Sequence, residues 1–305
     1  MSGASQGRGL RLFDAHCHLQ DRRISAVAPQ LIGAAVDSGV VRFAVNGVSE
    51  RDWHLVKRMA EQYPSVIPCF GLHPWYVAER SPNWLRSLRE FFADTPTAAV
   101  GEIGLDRGSH GKKINFDEQE EVFLQQLELA KELERPVSVH CVRAFGDLLG
   151  ILKRTGPFPA GVILHSYLGS ADMVASLANL GSYFSFSGYL TNMKVQNAKK
   201  ILRSVPLDRI LLETDAPDGM STWNTESLIG VPENSSNSEE PECQHEVKGS
   251  QAGTVSKDAL NHPANIHNIL NYAAMLLEMP KEELAEVSYQ NATRLFSYPG
   301  SKVPS

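Results

Sequence analysis

Short apolar segments alternate with longer segments of helical spacing along the sequence. This alternation is the feature that most limits which fold the chain can adopt. Eight apolar runs rich in β-branched residues are bounded by Gly, Pro, Asp or Ser, at 12–19, 40–48, 66–73, 98–105, 137–141, 161–167, 182–189 and 209–215. The clearest intervening helix, at 117–135, is stopped by Pro136. Strands alternating with helices are typical of a parallel sheet. Eight such units predict an α/β fold, a single (β/α)8 TIM barrel.

One domain accounts for the whole length, because 305 residues are enough for one barrel of about 250 residues with extensions. We predict a disordered tail at 1–10, a barrel domain at 11–298 and a C-terminal tail at 299–305. The stretch 218–258 is rich in Ser, Glu, Gly, Asn and Pro and predicts a flexible insertion after the eighth strand. Two helices, at 263–278 and 281–296, close the chain.

Charge and hydropathy exclude several classes of protein. A net charge of −6 and a pI near 5.9 argue against a general electrostatic surface for nucleic acid, so any anionic substrate needs local contacts. The N-terminal residues 1–9 lack the apolar core of a secretory signal, and no apolar run reaches membrane-spanning length. We therefore expect an intracellular protein, cytoplasmic or nuclear, that is neither secreted nor held in a membrane.

The first chemical motif is the pair His16 and His18 in the first predicted strand. Residues two apart in a strand point to the same side, so both imidazoles can reach one ion while Cys17 faces away. The motif alone is weak, because two polar residues at a strand end are as common as a metal site.

Residues at the ends of other predicted strands strengthen the interpretation of a metal site. Glu102 stands in apolar surroundings in the fourth strand, where a carboxylate requires a cation or donors. His140 and His165 end the fifth and sixth runs, and Glu213 and Asp215 lie two apart in the eighth. Each has an ordinary alternative, such as a hydrogen-bonded imidazole or a turn-shaping Asp. Together they lie at the end of a barrel where active sites form.

Nitrogen and oxygen ligands in this number predict two divalent ions with a bridging carboxylate. Zn²⁺, Mn²⁺, Fe²⁺ and Co²⁺ suit the set, and Mg²⁺ suits the imidazoles less well. Such a pair lowers the pKa of water to about 7 and contacts the attacking and leaving oxygens in phosphoryl transfer. Asp215 would then orient the water or accept its proton.

These residues fall in motifs that resemble the TatD-like metal-dependent deoxyribonucleases, over nearly the whole chain from Phe13 to Phe296. The motifs are FDAHCHL at 13–19, GLHP at 71–74, GEIGLD at 101–106, VHCVRA at 139–144 and LLETDAP at 211–217. The resemblance implies a TIM barrel of the metal-dependent hydrolase type that cleaves DNA without sequence specificity, as a 3′ exonuclease or at abasic sites. It implies one ion on His16, His18 and Asp215, a second on His140 and His165, and Glu102 between them.

The resemblance also implies roles around the metals. His73, in the Gly-x-His-Pro motif, is expected to face the substrate, or else to shape the turn before Pro74. Arg143 is expected to contact a phosphate, or else to form a surface salt bridge. Glu213 is either a base or a hydrogen-bond acceptor behind the ligands. With Asp215 and Glu102 it completes the expected catalytic set.

The sequence departs from the family pattern at two places. Ser166 and Tyr167 follow His165 where the family usually has Cys-Phe, a change expected to affect packing more than ligation. The insertion at 218–258 replaces a short loop that ends in Arg-Asn-x-Pro, of which only 261–263 remain. The missing arginine bears on substrate preference.

Two other functions remain open. The first is an amidohydrolase-type enzyme that cleaves an amide or ester bond, although the binuclear members of that group place a carbamylated lysine on strand four and this chain has Glu102. The second is a metal-binding barrel with a non-catalytic interaction role. We expect no obligate protein partner.

Overall fold

A computed structural model describes residues 9–232 and 259–304 and places eight parallel strands in sequence order around a barrel. The strands are β1 (Leu12–Cys17), β2 (Val40–Asn46), β3 (Val66–Phe70), β4 (Ala99–Asp106), β5 (Val137–Val142), β6 (Val162–Leu164), β7 (Ser182–Phe186) and β8 (Ile210–Leu212). This confirms the predicted TIM barrel. Parts of the predicted tails and insertion, at 1–8, 233–258 and 305, lie outside the described residues.

The helices follow the strands in the expected alternation. They are α1 (Ala28–Asp37), α2 (Trp53–Gln62), α3 (Trp84–Asp94), α4 (Phe116–Leu133), α5 (Phe145–Thr155), α6 (Ala171–Ala178), α7 (Val195–Ser204), α8 (Ile266–Leu277) and α9 (Lys281–Phe296). Helix α4 ends two residues before the predicted bound, with Glu134 at a positive φ of 53°, because Pro136 disfavours helical backbone in the residue before it. Within the described ranges, no helix has the length and apolar character needed to cross a membrane.

The two ends of the sheet meet beyond the last residue of β8. The backbone N–H of Asp215 donates to the carbonyl of His16 at 2.9 Å, and that of His18 donates to the carbonyl of Ala216 at 2.7 Å. The prediction that the eighth strand runs to Asp215 is wrong, because β8 ends at Leu212 and Asp215 has a φ of +57°. The backbone there is not a strand, yet Glu213 and Asp215 each place a carboxylate oxygen within 4.8 Å of a His16 nitrogen.

The side chain of Asp14 joins the same two segments. Its carboxylate accepts hydrogen bonds from the backbone N–H of Thr214 at 2.8 Å and from the Thr214 hydroxyl at 2.5 Å. Burial raises the pKa of Asp14 to about 8 against the opposing effect of these donors. The barrel is therefore closed by the residues that enter its C-terminal mouth.

The first part of the predicted insertion, 218–232, follows a defined path over α8. Ile229 and Asn265 exchange two hydrogen bonds, at 2.8 and 3.0 Å, and Trp223 packs against Tyr272 with ring centroids 5.5 Å apart. Asn261, from the remnant of the family motif, donates through Nδ2 to the Thr214 carbonyl at 2.9 Å. These contacts bring the chain back from the insertion to the end of β8.

A buried glutamine on α4 holds the loop that follows β3. Gln126 accepts from the N–H of Leu72 at 2.7 Å and donates to its carbonyl at 3.1 Å. The side chain has 0% exposure, so both backbone groups of Leu72 depend on it for hydrogen bonds. This amide thereby fixes the backbone that carries His73.

Gln126→Leu is expected to lower the free energy of unfolding by about 2–3 kcal/mol, because it leaves the buried N–H of Leu72 unpaired. Chemical denaturation of the whole chain measures the change. Gln125→Leu, one position along on a partly exposed site, is the matched control and should stay within about 0.5 kcal/mol of the parent. Equal effects from the two variants would contradict the assigned role of Gln126.

Candidate metal centre

The six residues predicted as metal ligands converge at the C-terminal mouth of the barrel. They are His16, His18, Glu102, His140, His165 and Asp215. Glu102 lies within β4 rather than at its end, with 2% exposure, and the register between β4 and β5 shifts between Val100 and Ile103. The other five lie in or just beyond β1, β5, β6 and β8. Strand ends far apart in sequence thus supply one cluster.

One half of the cluster is a set of four atoms around a common centre. The Nε2 atoms of His16 and His18 are 3.2 Å apart, and Glu102 Oε2 lies 3.4 and 3.3 Å from them. Asp215 Oδ1 lies 3.8 Å from His16 Nε2 and 3.5 Å from His18 Nε2. Two ligands of a tetrahedral Zn²⁺ site are roughly 3.3–3.6 Å apart, given bonds of about 2.0–2.2 Å. The four atoms have the spacing of a ligand set.

The other half faces the second oxygen of the same carboxylate. Glu102 Oε1 lies 3.1 Å from His140 Nδ1 and 2.9 Å from His165 Nε2, and these two nitrogens are 3.3 Å apart. His73 Nε2 is also 3.4 Å from Oε1. Glu102 therefore stands between two groups of nitrogens, with one oxygen toward each.

The outer nitrogens show which ring atoms carry protons in two of the histidines of this cluster. His18 Nδ1 faces the carbonyl of Asn46 at 2.8 Å, and His140 Nε2 faces Asp106 Oδ2 at 3.4 Å. A proton on each outer nitrogen satisfies these acceptors and leaves a lone pair on the inner nitrogen, the arrangement of metal-bound histidine.

His16 and His165 fit the same pattern. His16 Nδ1 is 2.8 Å from the Ser138 hydroxyl, and His165 Nδ1 is 3.4 Å from Glu213 Oε1. An oxygen thus lies near the outer nitrogen of all four predicted histidine ligands, although His165 Nδ1 makes no hydrogen bond. The donor set suits a divalent cation.

His73 has the opposite arrangement. Its Nδ1 accepts a hydrogen bond from the backbone N–H of Trp75 at 3.1 Å, so in the neutral ring the proton is on Nε2, which points at Glu102. Burial lowers the pKa of His73 to about 4, so the ring is neutral at pH 7. The group fits a hydrogen-bond donor to Glu102. Among the residues that the structure describes, His73, Glu102 and His140 also form one of three clusters with ligand atoms within 4.8 Å of one another. Its predicted contact with substrate stays a prediction.

Glu213 and Arg143 occupy contrasting positions. Glu213 has 0% exposure and accepts from the N–H and the hydroxyl of Ser166, at 2.7 and 2.8 Å. Arg143 is exposed one residue beyond β5 and, within the described residues, has no hydrogen bond or ion pair. The alternative of a surface salt bridge at Arg143 therefore has no partner among those residues. The serine that departs from the family pattern contacts Glu213 directly.

The charge of the cluster depends on Glu102. Burial alone would raise the pKa of Glu102, but the imidazoles of His73, His165 and His16 hold it well below its ordinary value. Burial likewise opposes a charged His18, yet without a cation its hydrogen bonds to Asp215 and Glu102 raise the pKa of His18 well above the ordinary value, and a bound cation would take the place of the proton on its inner nitrogen. The central carboxylate is thus ionised, which is the form that binds a cation.

Sequence reasoning gave no role to several groups that orient the ligands. Asp106 contacts His140 and also accepts from the indole N–H of Trp75, while Ser138 contacts His16. Ser138 is two residues before His140 on β5, so strand alternation could have placed it at the site. The acceptor for His18 is a backbone carbonyl, which no residue type can reveal.

Comparisons with known proteins identify relatives of this chain. The family described as TatD related DNase matches residues 13–297. The uncharacterized metal-dependent hydrolase YabD of Bacillus subtilis is 30% identical over 285 residues, covering 93% of this chain and 98% of that protein. The 3′-5′ ssDNA/RNA exonuclease TatD of Pantoea vagans is 29% identical over 209 residues, covering 68% and 79%. The crystal structure of YjjV, a TatD homologue from Escherichia coli, superposes with a TM-score of 0.77 at 26% identity, covering 96% of this chain and 100% of that one.

The different proton positions on His73 and His140 predict different effects of two substitutions on metal affinity. His73→Gln keeps an N–H donor near Glu102, so Zn²⁺ affinity should fall by no more than roughly tenfold. That is the smallest loss typical when a residue that hydrogen-bonds to a metal ligand is replaced. His140→Gln removes a ligand nitrogen and should weaken it by more than about 100-fold. Competition with a chromogenic chelator measures both affinities, with thermal unfolding as the check on folding. Equal losses would show that His73 is a ligand.

Proposed function

The chain belongs to the TatD-related DNase family, and from that membership and the geometry around Glu102 we propose that this metal-dependent hydrolase cleaves phosphodiester bonds in DNA. The proposal includes two divalent ions, drawn from Zn²⁺, Mg²⁺, Mn²⁺ or Co²⁺. The observation that carries it is the position of Glu102, whose two oxygens face separate donor sets at 2.9–3.4 Å. His16, His18 and Asp215 would hold one ion and His140 and His165 the other.

When bound on the two sides of Glu102, divalent ions would supply the Lewis acidity that activates water and stabilises charge on a phosphoryl group. The protein supplies the remaining functions. Asp215, with 6% exposure at the mouth, is the proposed acceptor for the proton of the attacking water. Glu213 is fully buried behind His165, which supports the alternative that it orients the imidazole rather than acting as the base.

Two further groups are proposed to contact the substrate or to position the centre. The guanidinium of Arg143 is exposed beside β5 and without a partner among the described residues, so it is available to contact a phosphate, with the two-point geometry that favours arginine. His73 would donate to Glu102 and hold the bridging carboxylate in place. The name of the Pantoea vagans relative, an exonuclease on single-stranded DNA and RNA, supports a nucleic-acid substrate for this chain.

Cleavage of single-stranded, duplex and abasic oligonucleotides by the whole chain is expected to require a divalent metal and to stop in EDTA. Restoration by Zn²⁺, Mn²⁺, Co²⁺ and Mg²⁺ in turn would identify the ions that support turnover. Parallel assays with amide and ester substrates distinguish this proposal from amidohydrolase chemistry. Metal-dependent turnover of an amide with no release from any oligonucleotide would overturn it.

Glu102→Gln should lower kcat by about 1000-fold or more, because one carboxylate holds both ions and the metals contribute several kcal/mol to the transition state. Circular dichroism and thermal unfolding establish that the variant is folded. Glu121→Gln, at an exposed position on α4, is the matched control and should retain parental activity. Parental turnover by Glu102→Gln would refute the bridging role.

A further inference from the structure

The loop from 107 to 115, between β4 and α4, carries two lysines without partners. Lys112 and Lys113 are exposed, and among the described residues the ammonium group of neither forms a hydrogen bond or an ion pair. Arg107 of the same loop differs, because it binds Asp147 at 3.1 and 3.2 Å and lies 3.4 Å from the centre of the Phe116 ring. Two ammonium groups are thus free for an external anion in a chain of net charge −6.

The backbone of this loop is fixed beside the metal centre. Buried Gln119 accepts from the N–H of Asp106 at 2.8 Å and donates to the carbonyl of Gly111 at 2.9 Å. Gly111 packs so closely on Asp106 that a Cβ on the glycine would meet the Asp106 Cβ at 2.4 Å. Asp106 in turn lies 3.4 Å from His140. The lysines are therefore attached to a loop with a set position next to a proposed metal ligand.

An aromatic pair connects this loop to the segment that follows β3. The rings of Trp75 and His110 are stacked with centroids 4.4 Å apart and planes at 29°. The indole N–H donates to Asp106, which fixes the Trp75 ring, while His110 is exposed. Single-stranded nucleic acid is bound by this combination of features, in which bases stack on rings and cations contact the backbone.

A cleft of about 590 Å³ runs along the loop. Its lining includes both lysines, Phe116 and Asp117. The lining also includes Asp106 and Arg107, but Asp106 is paired with His140 and Arg107 with Asp147, which leaves two lysines against Asp117. The volume lies in the range of clefts that hold small ligands, roughly 300–1000 Å³.

We propose that the Trp75–His110 pair and Lys112 and Lys113 form a docking subsite for a single-stranded segment of the nucleic-acid substrate. A base stacks on the exposed ring, and the lysines contact neighbouring phosphates. The proposal rests on the nuclease function proposed above and adds the direction in which the strand leaves the metal centre. An unpaired base is needed for stacking, so the subsite favours single strands over duplex.

The first test compares Lys112→Ala/Lys113→Ala with the parent on a single-stranded oligonucleotide and on bis(p-nitrophenyl) phosphate. KM for the oligonucleotide should rise roughly tenfold, and the slope of log affinity against log salt should become less steep by about 1.4, at about 0.7 per lost phosphate contact. The small diester has no flanking base or second phosphate that could contact the loop, so its kcat/KM should be unchanged. Lys153→Ala/Arg294→Ala, two exposed cations beside another cleft, is the control and should match the parent on both substrates.

The second test measures binding without turnover, using a phosphorothioate oligonucleotide and fluorescence anisotropy. His110→Ala should weaken single-strand binding by roughly 5- to 100-fold, the range for loss of one stacked base, and His110→Tyr should restore it. Unchanged binding in both the lysine and the His110→Ala variants would overturn the subsite, as would equal affinity for duplex. Failure of the parent to hydrolyse either substrate would instead refute the proposed function, while the anisotropy result would still decide whether the subsite exists.

Discussion

The arrangement of the barrel mouth depends on one buried carboxylate. Glu102 has 2% exposure, and an isolated ionised group at such a position is strongly unfavourable. It is accommodated because imidazole nitrogens surround both of its oxygens within 3.4 Å. Removing one partner from such a cluster leaves a buried charge uncompensated. The positions of the five histidines are therefore restricted together, since each must present a nitrogen to the same side chain.

The fold and most of the cluster could be predicted from sequence because both leave strong local signals. Strands of a parallel barrel are covered on both faces, so each appears as a continuous apolar run. A charged or imidazole residue at the end of such a run stands out, as His140 and His165 do. The eighth strand shows the limit of this reasoning. The predicted strand continues to Asp215, whereas in the structure it ends at Leu212 and Asp215 has a positive φ. The sequence does not show this change of backbone conformation.

The remaining features depend on contacts between distant segments. The proton on His73 is placed by the backbone N–H of Trp75, and His18 is oriented by the carbonyl of Asn46. Every residue has these backbone groups, so residue type carries no signal for them. Gln119 and Gln126 are equally hidden, because a buried glutamine and an exposed one look alike within a helix. Only the packing of α4 against the loops after β3 and β4 gives these amides their partners.

Closure of the barrel and assembly of the metal centre use the same bonds. The hydrogen bonds from Asp215 to His16 and from His18 to Ala216 join the two ends of the sheet, and three of these four residues are proposed ligands of one ion. Opening this seam would separate Asp215 from the two histidines of β1. A cation that binds only the closed arrangement therefore stabilises the whole barrel. At concentrations well above Kd, its contribution to the free energy of unfolding grows with the logarithm of the ratio of cation concentration to Kd. The stability of the fold and the occupancy of the centre are thus linked through one short stretch of backbone.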